Sequence, residues 1–313
     1  MRYFRDYPWL LQLLLFGTMF FTLLFGLGGI IPVVLVKLTG FKLEQLAGIG
    51  TDSPYALVQT AIVMQGIMNC FTFLVPAILF AYLSTPRPLE YLGLRTPGKS
   101  IQVVLAVFIM LGAAPVLQKT EELIGKINFG AALKAEQAAN DNMTNAFLNM
   151  NSFAGFVKVF VIMAIIPALG EELFFRGMMM RLVRQRSRSM LLPVLFTATL
   201  FAFIHANVYG LLSILLAGVL LAVIYNLTGS LWCSIAAHMS FNGITIILVY
   251  LSSYNNYAKA YLSQNSISPY FVVAGAIVFG ISFYLLLKNK TPLPANWSDN
   301  FTPAELAERT NTL

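Results

Sequence analysis

The chain has 313 residues, of which 58% are hydrophobic and 11% are charged, with a formal net charge of +7. Its mean hydropathy is +0.75. Soluble domains are about 45–50% apolar and about 25% charged, so this composition excludes an ordinary soluble fold. The basic residues fall mainly in short segments between apolar runs, which indicates membrane orientation rather than nucleic-acid binding. We therefore predict an all-α, polytopic membrane protein.

Eight apolar stretches are long enough to cross a bilayer, since a transmembrane helix needs about 20 apolar residues. They lie at residues 9–36, 55–83, 101–118, 153–180, 191–207, 210–227, 230–251 and 270–288. The fifth and sixth are short and are joined by the sequence NVYG, which predicts a tight antiparallel hairpin. Together they predict about eight transmembrane helices in one domain, residues 1–290.

Two polar segments accompany the predicted spans. Residues 119–152 predict an amphipathic helix, with the stretch QAANDNMTN at 137–145 as a loop. Residues 291–313 predict a polar cytoplasmic tail that is partly disordered and contains one short helix.

The distribution of Lys and Arg predicts the orientation. With eight spans, both termini lie on the same side, which holds twelve Lys and Arg residues against six on the other side. Cytoplasmic loops carry the excess of Lys and Arg. The sequence therefore predicts a multi-pass protein of the cell membrane, with both termini in the cytoplasm and the lipid bilayer as its surroundings.

Few charged residues remain inside the predicted spans. Eleven of the thirteen acidic residues lie in loops or near helix ends, which leaves Glu171 and Glu172. Both histidines of the chain, His205 and His238, also lie in spans, and Arg176 follows the glutamates by one turn. A charge at the bilayer centre costs about 2.5–3.5 kcal/mol or more, so such residues are candidates for function.

Three different spans place polar side chains at a similar depth. Counted from the predicted cytoplasmic helix ends at 1.5 Å per residue, Glu171, His205, His238 and Asn242 lie about 12–21 Å deep. These four residues can therefore meet in one polar cavity within the membrane.

Helical spacing separates the roles of the two glutamates. Glu172 and Arg176 are four residues apart, which predicts a charge-assisted pair on one helix face. Glu171 is rotated from Glu172 by about 100° and is expected to point into the cavity. Pro167 lies one turn before Glu171 and predicts a kink that helps to open a water pocket.

These side chains suit the hydrolysis of an amide bond. A carboxylate and a neutral imidazole, Glu171 and His205, can activate a shared water, and His238 with Asn242 can donate hydrogen bonds to the developing oxyanion. No activated serine or cysteine nucleophile stands out, since Ser240 lies away from the direction of His238 and Asn242. No metal is required, although zinc is an alternative, with Glu171, His205 and His238 as ligands and a water in the fourth position.

Three motifs carry a resemblance to a known family. The sequences EELFFR (171–176), FAFIH (201–205) and HMSFN (238–242) resemble the E-E-x-x-x-R, F-x-x-x-H and H-x-x-x-N motifs of the CAAX-protease and bacteriocin-processing family. These proteins are intramembrane glutamate-dependent endopeptidases, once classed as metalloproteases, and include the type II CAAX prenyl endopeptidases. The resemblance covers residues 153–251, and every motif position matches.

The resemblance implies specific roles. Glu171 and His205 are expected to activate water, and His238 and Asn242 to form the oxyanion site. Supporting roles are implied for Glu172, Arg176 and Phe201. The expected substrate is a peptide or membrane protein, with or without a lipid modification.

A second class of function fits some of the same residues. Intramembrane acids and histidines also serve proton relays, so a proton-coupled transporter is an alternative, as is a scaffold that binds a partner helix. A transporter is expected to show internal repeats with broken helices, and none is visible in the sequence. The substitution Glu171→Gln separates the classes, because a scaffold keeps its phenotype when the carboxylate is lost.

Overall fold

The structure is a computed structural model that describes residues 3–263 and 266–301. The protein is 76% helical and contains no strand among the described residues. This confirms the predicted all-α class. The helices, in chain order, are α1 (Trp9–Thr39), α2 (Leu43–Ala47), α3 (Tyr55–Ser84), α4 (Pro88–Tyr91), α5 (Ile101–Ile124), α6 (Ala131–Phe147), α7 (Phe153–Arg184), α8 (Leu191–Ile204), α9 (Leu211–Thr228), α10 (Leu231–Ser252), α11 (Asn256–Leu262) and α12 (Pro269–Lys288).

Seven of the described helices are long and apolar enough to cross a membrane: α1, α3, α5, α7, α9, α10 and α12. The shorter apolar helix α8 is the fifth predicted span. The protein is therefore a multi-pass membrane protein, and its helices follow the eight predicted spans closely. Helices α8 and α9 pack against each other, as the short connection between them predicts.

The prediction of a loop at residues 137–145 is wrong, because all of these residues lie within α6. Met143 and Phe147 pack into an apolar cluster with residues of α3 and α7. The side chain of Gln137 donates to Asp141 one turn later, at 2.8 Å. Tertiary packing and this local hydrogen bond stabilise a helix that the weak propensities of Asn, Asp and Thr do not predict.

The segment that follows α12 packs on the helix bundle over residues 291–301. The backbone N–H of Thr291 donates to a carbonyl at the end of α9, at 2.9 Å. Trp297 is buried, and its ring meets that of Tyr225 edge to face at 5.8 Å. Residues 302–313, which hold the rest of the predicted tail, lie outside the described residues.

Helix α7 is not regular along its length. The stretches Val161–Ile165 and Leu173–Met179 are π-helical, and they flank the α-helical stretch Ile166–Glu172. Pro167 is the second residue of that stretch, so the missing proline N–H coincides with a local widening of the helix. Such π-segments are frequent at functional sites.

The charged residues of α7 lie between two apolar clusters. Val159 and Ala164, earlier on the helix, pack into a cluster with residues of α3, α6 and α10. Phe174 and Met178, later on the helix, pack into another cluster that includes residues of α1, α3 and α10. Helix α10 contacts α7 as well as α5 and α9. Side chains of α10 can therefore reach Glu171 and Glu172 on α7.

Candidate active site

Glu172 and Arg176 form a fully buried ion pair, as their spacing predicts. Arg176 Nη1 lies 2.6 Å from Glu172 Oε1, and both side chains have 0% exposed surface. Arg176 Nη2 donates to the carbonyl of Gly218 on α9, at 2.7 Å. The pair therefore connects α7 to α9.

Glu172 also has two partners on α10. The hydroxyl of Ser234 donates to Glu172 Oε2 at 2.6 Å, and His238 Nδ1 lies 2.9 Å from Glu172 Oε1. Sequence reasoning assigned His238 to the oxyanion and missed Ser234. The only signal for Ser234 is its position one turn before His238, on the same face of the helix.

Glu171 faces both histidines. Its Oε2 atom lies 3.8 Å from His238 Nε2 and 4.0 Å from His205 Nε2. Helices α7, α8 and α10 thus bring together three of the four residues whose depths agree in the sequence. Glu171 Oε2 is buried and has no hydrogen-bond partner among the described residues.

The second nitrogen of each histidine fixes the orientation of its ring. His205 Nδ1 lies 2.7 Å from the carbonyl oxygen of Phe201, and His238 Nδ1 faces the carboxylate of Glu172. Both partners are acceptors, so each Nδ1 carries the hydrogen. In the neutral form of either ring, Nε2 then presents its lone pair towards Glu171.

Phe201 packs among the charged and titratable groups. Its ring centroid lies 4.5 Å from that of His205 and 5.8 Å from that of His238. The guanidinium of Arg176 lies over the same ring, at 4.9 Å. Phe201 is 3% exposed, so its ring is packed inside the bundle and restricts the orientation of both imidazoles.

Asn242 lies one turn after His238 on α10 and is half-buried. Its side chain makes no hydrogen bond to another described residue. The spacing places it on the same face as His238, where it can approach a group bound beside that ring.

His205 is the most exposed of the three titratable groups that converge at the site. The side chain of His205 is 35% exposed, whereas those of Glu171 and His238 are 8% and 5% exposed. His205 caps the end of α8, immediately before Ala206, which has a positive φ of 49°.

Asn69 is a further contact of Glu171 that sequence reasoning missed. Its Nδ2 atom donates to Glu171 Oε1 at 3.3 Å, from helix α3. No motif marks α3. The available signal was an amide side chain in the middle of a predicted span.

Within residues 3–263 and 266–301, no group of three or more His, Cys, Asp or Glu side chains is placed to hold a metal ion. The two cysteines of the chain, Cys70 and Cys233, are free and lie elsewhere in the spans. The zinc alternative, with Glu171, His205 and His238, stays a prediction that chelation tests.

Residues 153–244 match the family model described as type II CAAX prenyl endopeptidase Rce1-like. These residues form an Rce1-like domain. The match confirms the resemblance that the three motifs indicate, and it contains Glu171, His205, His238 and Asn242. Helices α1 to α6 lie outside it. Comparisons with curated proteins and with solved structures gave no match. The Rce1-like domain supports a membrane-embedded peptidase of the CAAX-protease kind, with a protein substrate.

Proposed function

We propose that the protein is an intramembrane endopeptidase that hydrolyses a peptide bond with a water activated by Glu171 and His205. The observation that carries this proposal is the convergence of Glu171 Oε2 with the Nε2 atoms of two histidines, at 3.8 and 4.0 Å. A water at hydrogen-bond distances of about 2.8 Å from two atoms so separated makes an angle of about 90° with them. The water can therefore be held between the carboxylate and an imidazole.

Proton transfer follows from this arrangement. Glu171 or His205 Nε2 accepts a proton from the water while the water oxygen attacks the carbonyl carbon of the substrate. When the tetrahedral intermediate collapses, the same proton passes to the leaving amine, and the C–N bond breaks. The exposure of the His205 side chain suits a group that meets both water and substrate.

His238 and Asn242 would stabilise the oxyanion of the intermediate. His238 Nδ1 already donates to Glu172, so donation to an oxyanion requires a second hydrogen, on Nε2. Such an imidazolium would lie between the carboxylates of Glu172 and Glu171. Arg176 and Ser234 hold Glu172 in place, and Phe201 restricts the ring of His238, so these residues have supporting roles.

The test uses purified full-length protein in detergent and a pool of quenched peptides, with and without a C-terminal prenyl group. Wild type is expected to cleave at least one member of the pool, and Glu171→Gln and His205→Ala are expected to lose more than about 100-fold in kcat. Ser240→Ala is the matched control. Ser240 lies between His238 and Asn242 in sequence, but its hydroxyl donates to the carbonyl of Ala237.

Each outcome has a distinct meaning. Cleavage that survives a strong chelator and is lost in Glu171→Gln supports the mechanism above. Cleavage lost on chelation and restored by zinc would replace it with a metal mechanism. Equal cleavage by wild type and Glu171→Gln would refute the proposal, as would loss of activity in Ser240→Ala alone. A preference for prenylated peptides within the pool would support a lipidated substrate.

We also propose that both termini are cytoplasmic, on the charge distribution given above. Reporters fused to the C-terminus that are active on only one side of the membrane would test this. A reporter active outside the cytoplasm would reverse the predicted topology.

A further inference from the structure

Helix α3 contributes a polar contact to the candidate active site from outside the Rce1-like domain. The family match covers residues 153–244, whereas Asn69 belongs to a helix that ends at Ser84. Asn69 Nδ2 donates to Glu171 Oε1 at 3.3 Å. The structure thus assigns Asn69 a contact with the glutamate that carries the proposed chemistry.

The two oxygens of Glu171 have different surroundings. Oε1 accepts from Asn69, whereas Oε2 has no donor among the described residues and faces His205 and His238. A carboxylate can rotate about its last torsion, which is broad and roughly two-fold. A hydrogen bond to one oxygen restricts that rotation and directs the other oxygen towards the imidazoles.

The orientation of the Asn69 amide follows from the chemistry of its partner. An ionised carboxylate only accepts, so the amide NH₂ must face Glu171. The amide oxygen then points away, and it is buried without a hydrogen-bond partner among the described residues. This polar side chain therefore has one hydrogen bond at the site, and that bond goes to Glu171.

The backbones of α3 and α7 approach each other closely beside the contact between Asn69 and Glu171. Asn69 is the last residue before the π-helical segment Cys70–Leu74 of α3. Gly170, the neighbour of Glu171, packs directly on that segment. A Cβ atom at Gly170 would lie 3.3 Å from Asn69 Oδ1 and 3.3 Å from the backbone nitrogen of Leu74. The absence of a side chain at Gly170 therefore lets α3 approach closely enough for the hydrogen bond.

We propose that Asn69 is a positioning residue that holds Glu171 with Oε2 towards His205 and His238. This inference rests on the proposed function, because it assigns Asn69 an effect on the water-activating carboxylate. It adds α3, which carries none of the three motifs, to the elements that build the active site.

Three variants, Asn69→Leu, Asn69→Asp and the control Gln59→Leu, are compared with wild type in a cleavage assay. The substrate is a peptide from the pool above that wild type cleaves. Asn69→Leu keeps the approximate shape and removes the donor, and we expect kcat to fall about tenfold to a hundredfold, as for loss of a hydrogen bond to a charged group. KM is expected to stay within about twofold. Asn69→Asp keeps the approximate shape and should lose as much, because a second carboxylate disfavours the ionised form of Glu171, and only the ionised form can accept a proton from water. If Asn69→Leu fails to fold, Asn69→Asp still tests the role of Asn69.

Gln59→Leu is the matched control. Gln59 is half-buried on the same helix and also has a buried amide oxygen without a partner among the described residues. It lies ten residues before Asn69, about 15 Å along the helix axis. A role of Asn69 in packing alone predicts unchanged kcat in all three variants, and that result would overturn the proposal. A rise in KM at constant kcat would also overturn it.

An infrared measurement separates failure of this inference from failure of the proposed function. The carboxylate stretching band that disappears in Glu171→Gln belongs to Glu171. We expect Asn69→Leu to shift that band and Gln59→Leu to leave it unchanged. An unshifted band refutes the contact, whatever the enzymatic activity. A shifted band in a protein that cleaves nothing supports the contact while the proposed function fails.

Discussion

Replacing Arg176 tests whether the Glu172–Arg176 pair is a buried charge network. The two side chains have 0% exposed surface and meet at 2.6 Å. Removing one member of such a pair leaves the other charge buried without compensation, which typically costs about 3–5 kcal/mol. Glu172 keeps the hydrogen bonds from Ser234 and His238 when Arg176 is lost. We therefore expect Arg176→Met to lower the free energy of unfolding by about 3 kcal/mol, the lower end of that range.

The chain offers a reporter for this measurement. Cys233 lies fully buried on α10, whereas Cys70 is only half-buried. In a Cys70→Ala background, labelling of Cys233 by a thiol-reactive fluorophore reports unfolding. The fraction labelled in mixed micelles with rising denaturing-detergent content then gives the free energy of unfolding.

Arg87→Met is the control for the loss of an arginine from an ion pair. Arg87 lies 3.8 Å from Glu90, and the two side chains are 77% and 56% exposed. An exposed pair contributes at most about 1 kcal/mol. The double variant Glu172→Gln/Arg176→Met should recover part of the loss, because neither charge of the pair is then left buried without its partner. If Arg176→Met costs no more than Arg87→Met, the reasoning about a desolvated ion pair is refuted.

Two further substitutions test contacts that the structure adds. Ser234→Ala removes the hydroxyl donor to Glu172 and should cost about 1–3 kcal/mol in the same unfolding assay; an unchanged stability would show that this hydrogen bond is replaced. Gly229→Ala should cost about 1–2 kcal/mol, because Gly229 has a φ of +66° and its added Cβ would lie 2.8 Å from the carbonyl oxygen of Thr291. Gly280→Ala is its control, since a Cβ there meets nothing within 4 Å; equal effects at the two glycines would argue against docking of the segment that follows α12.

The helices of this protein could be predicted well from sequence because the bilayer imposes a strong length and polarity requirement on each span. That requirement does not apply to α6, a helix too polar to cross a membrane. Five of its nine residues from Gln137 to Asn145 are Asn, Asp or Thr, which have weak helix propensity. The helix there depends on the packing of Met143 and Phe147 against distant residues, which a local pattern does not show.

The same distinction explains which site residues could be found. Glu171, Glu172 and the two histidines could be found in the sequence because a charged or titratable side chain inside the membrane is costly. Such a residue is therefore a candidate for function. Asn69 and Ser234 carry no charge, and neutral polar residues in spans commonly serve only as contacts between helices. The importance of Asn69 and Ser234 depends on their contacts with Glu171 and Glu172. Those contacts follow from the packing of α3 and α10 against α7, which the sequence does not show.

His238 links the two adjacent glutamates into one unit. Consecutive residues on a helix point about 100° apart, so Glu171 and Glu172 could have had unrelated surroundings. Instead, the two nitrogens of one imidazole face them both, Nδ1 towards Glu172 at 2.9 Å and Nε2 towards Glu171 at 3.8 Å. A change in the charge of Glu172 is therefore transmitted to the face of His238 that meets Glu171. The contact of Glu172 with Arg176, at 2.6 Å, therefore bears on the proposed catalytic glutamate through the imidazole of His238.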